Sequence, residues 1–355
     1  MFAQGKSNPN LHCKHIRPFP VFKHQVWRII CVIAILPIVF LISPRNLVRY
    51  WKLERKDGHE TKEILRRMYI NAHILRKKMD WLHFGFATTA IGREKVAKAI
   101  QTKMAVSLRG YDINEYPVKY AKCYQMLWKH VDQVHSISNY LLQKAYELGL
   151  SPDKPSCIIF PAISLPPIHK SDFSLHDPIR ILTVGRLTSI KGLSYCIESI
   201  AKLKEGGIHA QYTIVGDGIE YEKLVRQTEA LGIKEDVIFA GILSHSEILM
   251  LMRDCDIYVQ PSINEGFCNA VLEAQAVGSL CIASDVGALP ENIVNGETGW
   301  LVQSMDANAL ANSILNTVRL SPIDKRKVSN NARTRVAKSF TIDTHLKSWN
   351  QFYQT

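Results

Sequence analysis

The 355-residue sequence has no CxxC pair and no grouping of cysteine and histidine at zinc-ligand spacing, which excludes the common zinc modules and thioredoxin-type redox sites. Its eight cysteines are scattered, which in a chain of this size reads as reduced thiols in a cytoplasmic protein rather than a disulfide scaffold. It also lacks an uninterrupted apolar run long enough to cross a bilayer. The longest, Ile29 to Ile42 within VWRIICVIAILPIVFLIS (Val26–Ser43), falls short of the ~18–20 residues required and is interrupted by Pro37. No small-x-small cleavage site follows it, so it is not a secretory signal. Repeats and low-complexity tracts are missing too, which removes solenoids from consideration.

The charge that is present is unevenly placed. Residues 1–80 hold 16 Lys and Arg against 5 Asp and Glu, a net +11 out of the +12 carried by the whole chain. Within them, Ile64, Leu65, Met68, Ala72, Leu75 and Met79 recur at helical spacing, with Arg66, Arg67, Arg76, Lys77 and Lys78 around them. A basic amphipathic helix beside an apolar segment is the pattern of a peripheral membrane contact. A helix packed on its own domain gives the same stripe. Nucleic acid is a poor partner for this segment, which has few interleaved aromatics and no known binding module.

From Trp81 onward, short apolar runs alternate with helix-length segments. KMAVSLRG, DQVHSIS and SCIIFPAI read as strands, with KYAKCYQMLWKHV and NYLLQKAYELG as helices between them. An aperiodic stretch rich in proline, serine and histidine (163–178) follows as a linker. A second series then has IRILTVG, QYTIVG, DVIFAG, DIYVQPS and LCIASD as strands, with helices around 191–205, 220–231, 246–253, 268–277 and 306–318. Such alternation predicts α/β architecture with two parallel sheets, each covered by helices and facing the other across a cleft. The expected division is a basic, partly apolar helical segment (1–80), a first Rossmann-like domain (81–162), the linker, a second Rossmann-like domain (179–338) and a C-terminal helix (339–355) packing back on the first.

Three groups of residues stand at predicted strand ends. In VGRLTSIKG, Gly185 permits a tight strand exit, and Arg186 and Lys191 straddle a turn into a helix. Two cations at a helix N-terminus suit a diphosphate, because free N–H groups and the helix dipole add to the side-chain charge. IVGDGIEYEKL offers a glycine-rich turn that is equally well explained as a structural turn. INEGFCNAVLE places Glu265 on a loop and Glu273 within the helix that starts near Cys268. Glycosidase carboxylate pairs lie ~5–9.5 Å apart. Eight residues of helix span ~12 Å, so these two acids fit opposite ends of one long ligand better than one bond. Asp254 and Asp256 imitate a metal-binding DxD, but one ends a helix and the other opens a strand, so they do not converge.

In their order, VGRL…KG, IVGDG, the DIYVQPS strand, EGF…LE and SDVGALPENIVNGETGWLV over residues 180–318 resemble the nucleotide-binding domain of the retaining family 4 glycosyltransferases, which have the two-domain GT-B fold. HFGF (83–86) and SLRGYDI (107–113) resemble the acceptor-side strands of exopolysaccharide and colanic acid glycosyltransferases. The resemblance implies transfer of a sugar from a nucleotide-diphosphate donor to a saccharide or lipid-linked acceptor, with retention and without a metal or other cofactor. Arg186 and Lys191 would then bind the diphosphate. Glu265 would hold the donor sugar, helped by the N–H groups of Gly266, Phe267 and Cys268. Glu273 would take the ribose, and Gly241-Ile242 would border the base. Arg109 stands where the family has a histidine near the donor sugar. The expected location is cytoplasmic, at the inner membrane face, with the basic residues 1–80 touching the lipid. The strand, glycine-rich turn and helix with which the family begins are not recognisable here, which leaves a non-catalytic nucleotide-sugar-binding subunit as the alternative. An epimerase of the same fold fits EGF…LE less well.

Overall fold

A computed structural model describes residues 35–37 and 39–354, so most of the apolar segment Val26–Ser43 lies outside the described residues. The chain divides into two compact units, one formed by residues up to 136 with 142–158 and 350–355, the other by 137–141 and 159–349.

The first unit is built on a parallel sheet of β1 (Trp81–Phe84), β2 (Lys103–Leu108), β3 (Gln133–Ser136) and β4 (Ser156–Ile158), in that order. Five of the six β2 residues and all of β3 are buried, as expected for parallel strands covered on both faces. Helices α1 (Pro44–Lys56) and α2 (Thr61–Leu75) precede the sheet, and α3 (Val96–Ile100) joins β1 to β2. Ile64, Met68, Ala72 and Leu75 of α2 are buried. Those four residues therefore pack inside the unit and are not available to a membrane, whereas Leu65 is exposed and Met79 lies beyond the helix. Within α1, Tyr50 and Glu54 are buried, Arg67 reaches Glu54 at 3.4 Å, and the Tyr50 hydroxyl accepts from Asn71 at 3.1 Å.

The predicted helix over KYAKCYQMLWKHV is broken. A π-turn (Tyr111–Glu115) leads into one helical turn (Tyr116–Lys119), and after a bend helix resumes only over Gln125–His130. Tertiary anchors impose this path. The buried Asp112 carboxylate accepts from the Thr88 N–H and hydroxyl and the Arg109 N–H, and the Tyr124 hydroxyl donates to the Asp112 carbonyl at 2.7 Å. Lys122 takes the left-handed conformation (φ +60°) in the bend.

The second unit holds six parallel strands: β5 (Ile179–Val184), β6 (Ala210–Val215), β7 (Val237–Gly241), β8 (Ile257–Gln260), β9 (Leu280–Ser284) and β10 (Trp300–Val302). Their order is β10-β9-β8-β5-β6-β7, so β5 pairs with both β6 and β8 and the winding reverses between β5 and β8. Neighbouring residues of β5 serve opposite faces. Ile181 joins a core with Ile197, Ile200, Tyr212 and Ile314, and Leu182 joins one with Tyr258, Val271, Ala274 and Cys281. The helices that follow β5, β6, β7 and β8 are Leu193–Glu205, Tyr221–Ala230, His245–Asp254 and Asn269–Val277.

In the first unit, His83 bridges the Tyr353 hydroxyl (2.5 Å) and the Ser107 hydroxyl (2.8 Å), and Ser107 continues to His135 (2.8 Å). Burial, with the Arg109 charge, lowers His83 to about 4; burial, with Arg93, does the same to His73. Both imidazoles therefore contribute stability that is complete above their free value of ~6.5 and is lost as pH falls toward 4. Thermal melts are expected to show a fall in stability from pH 7 to pH 5 on the order of 1–2 kcal/mol per histidine. His83→Gln should flatten that dependence; an unchanged pH profile would count against it.

Candidate functional site

At the point where the winding reverses, the connections leaving the paired strands β5 and β8 run to opposite faces of the sheet and leave room at the strands' carboxyl ends, the usual place for a ligand on a doubly wound sheet. The loops after β5 (185–192) and β8 (261–268) meet there. Their backbones touch directly: the Ile263 N–H donates to the Ile190 carbonyl at 2.8 Å. A Cβ on Gly192 (φ +62°) would lie 2.0 Å from the Pro261 carbonyl oxygen, so only glycine allows this approach. On the other flank, the Ala288 N–H donates to the Glu265 carbonyl at 2.9 Å.

This interlock brings Lys191 and Glu265 together across 74 residues of sequence. The Lys191 Nζ lies 2.6 Å from the Glu265 Oε2, with the two side chains 16% and 14% exposed. Burial alone would lower the Lys191 ammonium, but the Glu265 carboxylate outweighs it and holds the group above the ordinary lysine range, against the like charge of Arg186. Beneath the pair runs a buried polar chain. The Tyr258 hydroxyl donates to the Gln260 Oε1 (2.9 Å), the Gln260 amide donates to the Ser262 Oγ (2.9 Å), and the Ser262 hydroxyl lies 3.4 Å from the same Glu265 Oε2. Among the described residues Glu265 Oε1 has no hydrogen-bond partner.

The remaining candidates divide between near and far. Gly185 follows β5 with its N–H on the Val215 carbonyl, and Arg186 is exposed beside Lys191 with no side-chain hydrogen bond among the described residues. The Gly266 and Phe267 N–H groups are likewise unbonded among the described residues. The Cys268 N–H is not: it donates to the Asn292 Oδ1 (3.1 Å), while the Asn292 amide returns a bond to the Cys268 carbonyl (3.1 Å). That expectation is corrected, because the buried Asn292 takes the third amide. Glu273, on the helix after β8, has its Oε1 3.0 Å from the Nε2 of His245. Gly241 (φ +66°) accepts from the Gly216 N–H, and Ile242 beside it is 80% exposed. Arg109 belongs to the first unit, where its guanidinium donates to the Gly85 carbonyl (3.0 Å) and stacks on Phe86 (5.1 Å).

Helix ends supply further positive potential. The helices beginning at Leu193, Tyr221 and Asn269 have no side-chain cap, whereas those beginning at His245, Ala307 and Pro322 are capped by Ser244, Asp306 and Ser321. The uncapped ends, at β5, β6 and β8, leave N–H donors for an anion. Sequence reasoning missed His245, Gln260 and Ser262. Only the S-x-x-E capping box at Ser244–Glu247, which fixes the turn carrying His245, left a trace in the sequence. Among the described residues no group of three His, Cys, Asp or Glu side chains converges as a metal site. Asp254 pairs with Arg253, and Asp256 accepts from His176 and the Arg180 N–H.

Residues 167–335 match the family model described as glycosyl transferases group 1. The chain carries a glycosyl transferases group 1 domain. It is 28% identical over 266 residues to the putative colanic acid biosynthesis glycosyltransferase WcaL of Salmonella typhimurium, covering 73% of this chain and 66% of the relative. It is 31% identical over 271 residues to the amylovoran biosynthesis glycosyltransferase AmsK of Erwinia amylovora, covering 73% and 65%. The matched stretch thus spans just under two thirds of those relatives. Anabaena Alr3699/HepE, solved in complex with UDP and glucose, superposes with a TM-score of 0.68 over 78% of each chain at 18% identity, which establishes a shared GT-B architecture.

The pair can be tested without a ligand. Lys191→Met leaves the Glu265 carboxylate in a half-dry site without its counter-charge, at an expected cost of about 1–3 kcal/mol in thermal or urea unfolding. Lys191→Met with Glu265→Gln should recover part of that loss. Strict additivity of the two single changes would show that the groups are not coupled.

Proposed function

We propose that the chain moves a sugar from a nucleotide-diphosphate donor to a saccharide or lipid-linked acceptor, with retention of anomeric configuration, in the assembly of a surface polysaccharide. The observation that supports this best is the Lys191–Glu265 pair at the reversal of the six-stranded sheet, beside uncapped helix N-termini. A cation and an anion paired in the free protein can part to opposite ends of a ligand that carries a phosphate at one end and hydroxyls at the other.

In this reading the donor diphosphate takes Lys191 and Arg186 together with the N–H groups at Leu193 and Asn269. The charge that builds on the departing nucleotide is met by the same groups, preorganised and partly shielded from water. Glu265, released from Lys191, accepts the sugar hydroxyls while the Gly266 and Phe267 amides donate to them. Glu273, held by His245, accepts the ribose hydroxyls, and Ile242 borders the base. No divalent ion has a task in this scheme, because side-chain cations and helix ends already oppose the phosphate charge. A lipid-linked acceptor would place the protein at the inner membrane face. The exposed Phe40, Leu41 and Ile42, next to the basic helix α1, are the part of residues 1–80 suited to touch lipid.

Three measurements bear on this. A thermal-shift panel of UDP-, GDP-, ADP- and dTDP-sugars is expected to give a stabilisation with one base, and Glu265→Ala should abolish transfer while the fold persists. Normal turnover in that variant would sink the proposal. Calorimetry of the bare nucleoside diphosphate should give the opposite trend. Glu265→Gln frees Lys191 for the phosphate and is expected to bind it roughly three- to tenfold tighter than wild type. Weaker binding would argue that the pair does not compete with the donor.

A further inference from the structure

The broken helix of the first unit leaves an aromatic surface that no role above has used. Tyr111, Tyr116 and Tyr120 form a continuous series, with ring centroids 6.1 Å apart at 61° and 4.6 Å apart at 37°. The series is rooted in the core through Tyr124, 6.2 Å from Tyr116 and itself 5.1 Å from Trp128. Tyr111 and Tyr120 are 45% and 56% exposed, and the hydroxyls of all three outer tyrosines have no hydrogen-bond partner among the described residues. Two exposed rings joined through a half-buried third make a continuous aromatic patch, the kind of surface that marks an interaction site. The chain conformation that presents them is also uncommon, since it uses a π-turn and the left-handed Lys122.

Position narrows the occupant. The segment leaves the carboxyl end of β2, two residues after Arg109, whose guanidinium lies over Phe86 at the carboxyl end of β1. Carboxyl ends of parallel strands are where such sheets take their ligands. Tyrosine combines an apolar face with a polar rim, and a pyranose ring has the same two-sided character: C–H bonds on one face and hydroxyls around the edge. Rings set at 61° make a corner in which one face stacks while neighbouring phenols bond to the rim. Lys119 and Lys122, both exposed on the same bend, add positive charge at its edge.

We infer that Tyr111, Tyr116 and Tyr120 form the saccharide-binding shelf for the acceptor, with Lys119 and Lys122 favouring an acceptor that carries negative charge. This rests on the reading of the chain as a sugar transferase and adds the acceptor's class to it: a saccharide recognised by stacking. The lysines meet a phosphate or a carboxylate at its end.

Saturation-transfer NMR on the full chain with methyl glucoside, methyl galactoside and glucose 1-phosphate tests this directly. Saturation of pyranose ring protons is expected in the wild type. In Tyr111→Ala/Tyr120→Ala, binding should weaken on the order of tenfold. Tyr111→Phe/Tyr120→Phe, which keeps the rings and removes the hydroxyls, should fall between. Lys119→Ala/Lys122→Ala should weaken glucose 1-phosphate and leave the neutral glycosides unchanged. These residues are surface-exposed, and melting temperatures near wild type are expected to confirm that the variants fold. No saturation with any of the three sugars, or equal saturation in wild type and Tyr111→Ala/Tyr120→Ala, would overturn the inference. So would loss of co-sedimentation with phosphatidylglycerol vesicles in that variant with sugar binding intact, which would make the shelf a lipid contact. Calorimetry of the nucleotide sugar in the same variant keeps the two proposals apart. Donor binding that persists while the shelf fails leaves the transferase reading standing, and donor binding absent from the wild type removes that reading whatever the shelf does.

Discussion

The loops after β5 and β8 are locked backbone to backbone, through the Ile263–Ile190 hydrogen bond and the close approach of Gly192 to the Pro261 carbonyl, and the charges near them are placed by that lock. A side chain held by a flexible loop would lose position with each loop fluctuation. Here the cation and the anion sit on two loops that cannot move apart without breaking main-chain contacts. The 2.6 Å ion pair is thus a consequence of the fold's geometry as much as of Coulomb attraction. Its burial makes the loss of one partner costlier than in an exposed pair, because the remaining charge is left without compensation.

The same reversal of winding that makes room for a ligand also sets which helix ends face that room. Helices after β5, β6 and β8 leave their first N–H groups without a side-chain cap, and the helix after β7 closes its own end with Ser244 and Glu247. Lost capping costs about 1 kcal/mol per helix, which natural chains tolerate where the freed donors have another use. The buried line from Tyr258 through Gln260 and Ser262 works in the other direction. It fixes one oxygen of Glu265 from below and leaves its partner oxygen open.

In the first unit the organising element is Asp112. Its carboxylate gathers the Thr88 and Arg109 amides, and its carbonyl receives the Tyr124 hydroxyl, so the chain on both sides is bent toward one buried point. The helical periodicity of Tyr120, Tyr124, Leu127, Trp128 and Val131 is real in the sequence, but only its second half is used as helix. Tertiary hydrogen bonds decide the first half, and the tyrosines are turned outward as a result.

Much of the architecture was legible in the sequence. Apolar runs marked most of the strands from β2 to β9, because parallel strands are covered on both faces, although β3 buries Gln133, His135 and Ser136 beside a single apolar residue. Glycine at 185 and the order of VGRL…KG and EGF…LE marked the loops that carry Lys191 and Glu265. What a linear reading does not contain is pairing between distant segments. The Lys191–Glu265 contact, the capture of the Cys268 amide by Asn292, the coupling of Glu273 to His245 and the broken path at Lys122 each depend on atoms brought together from far along the chain. Local propensity fixes which segments are strands and helices. The strand order and the packing of the loops on it decide which charges meet, because only in the folded sheet do β5 and β8 become neighbours.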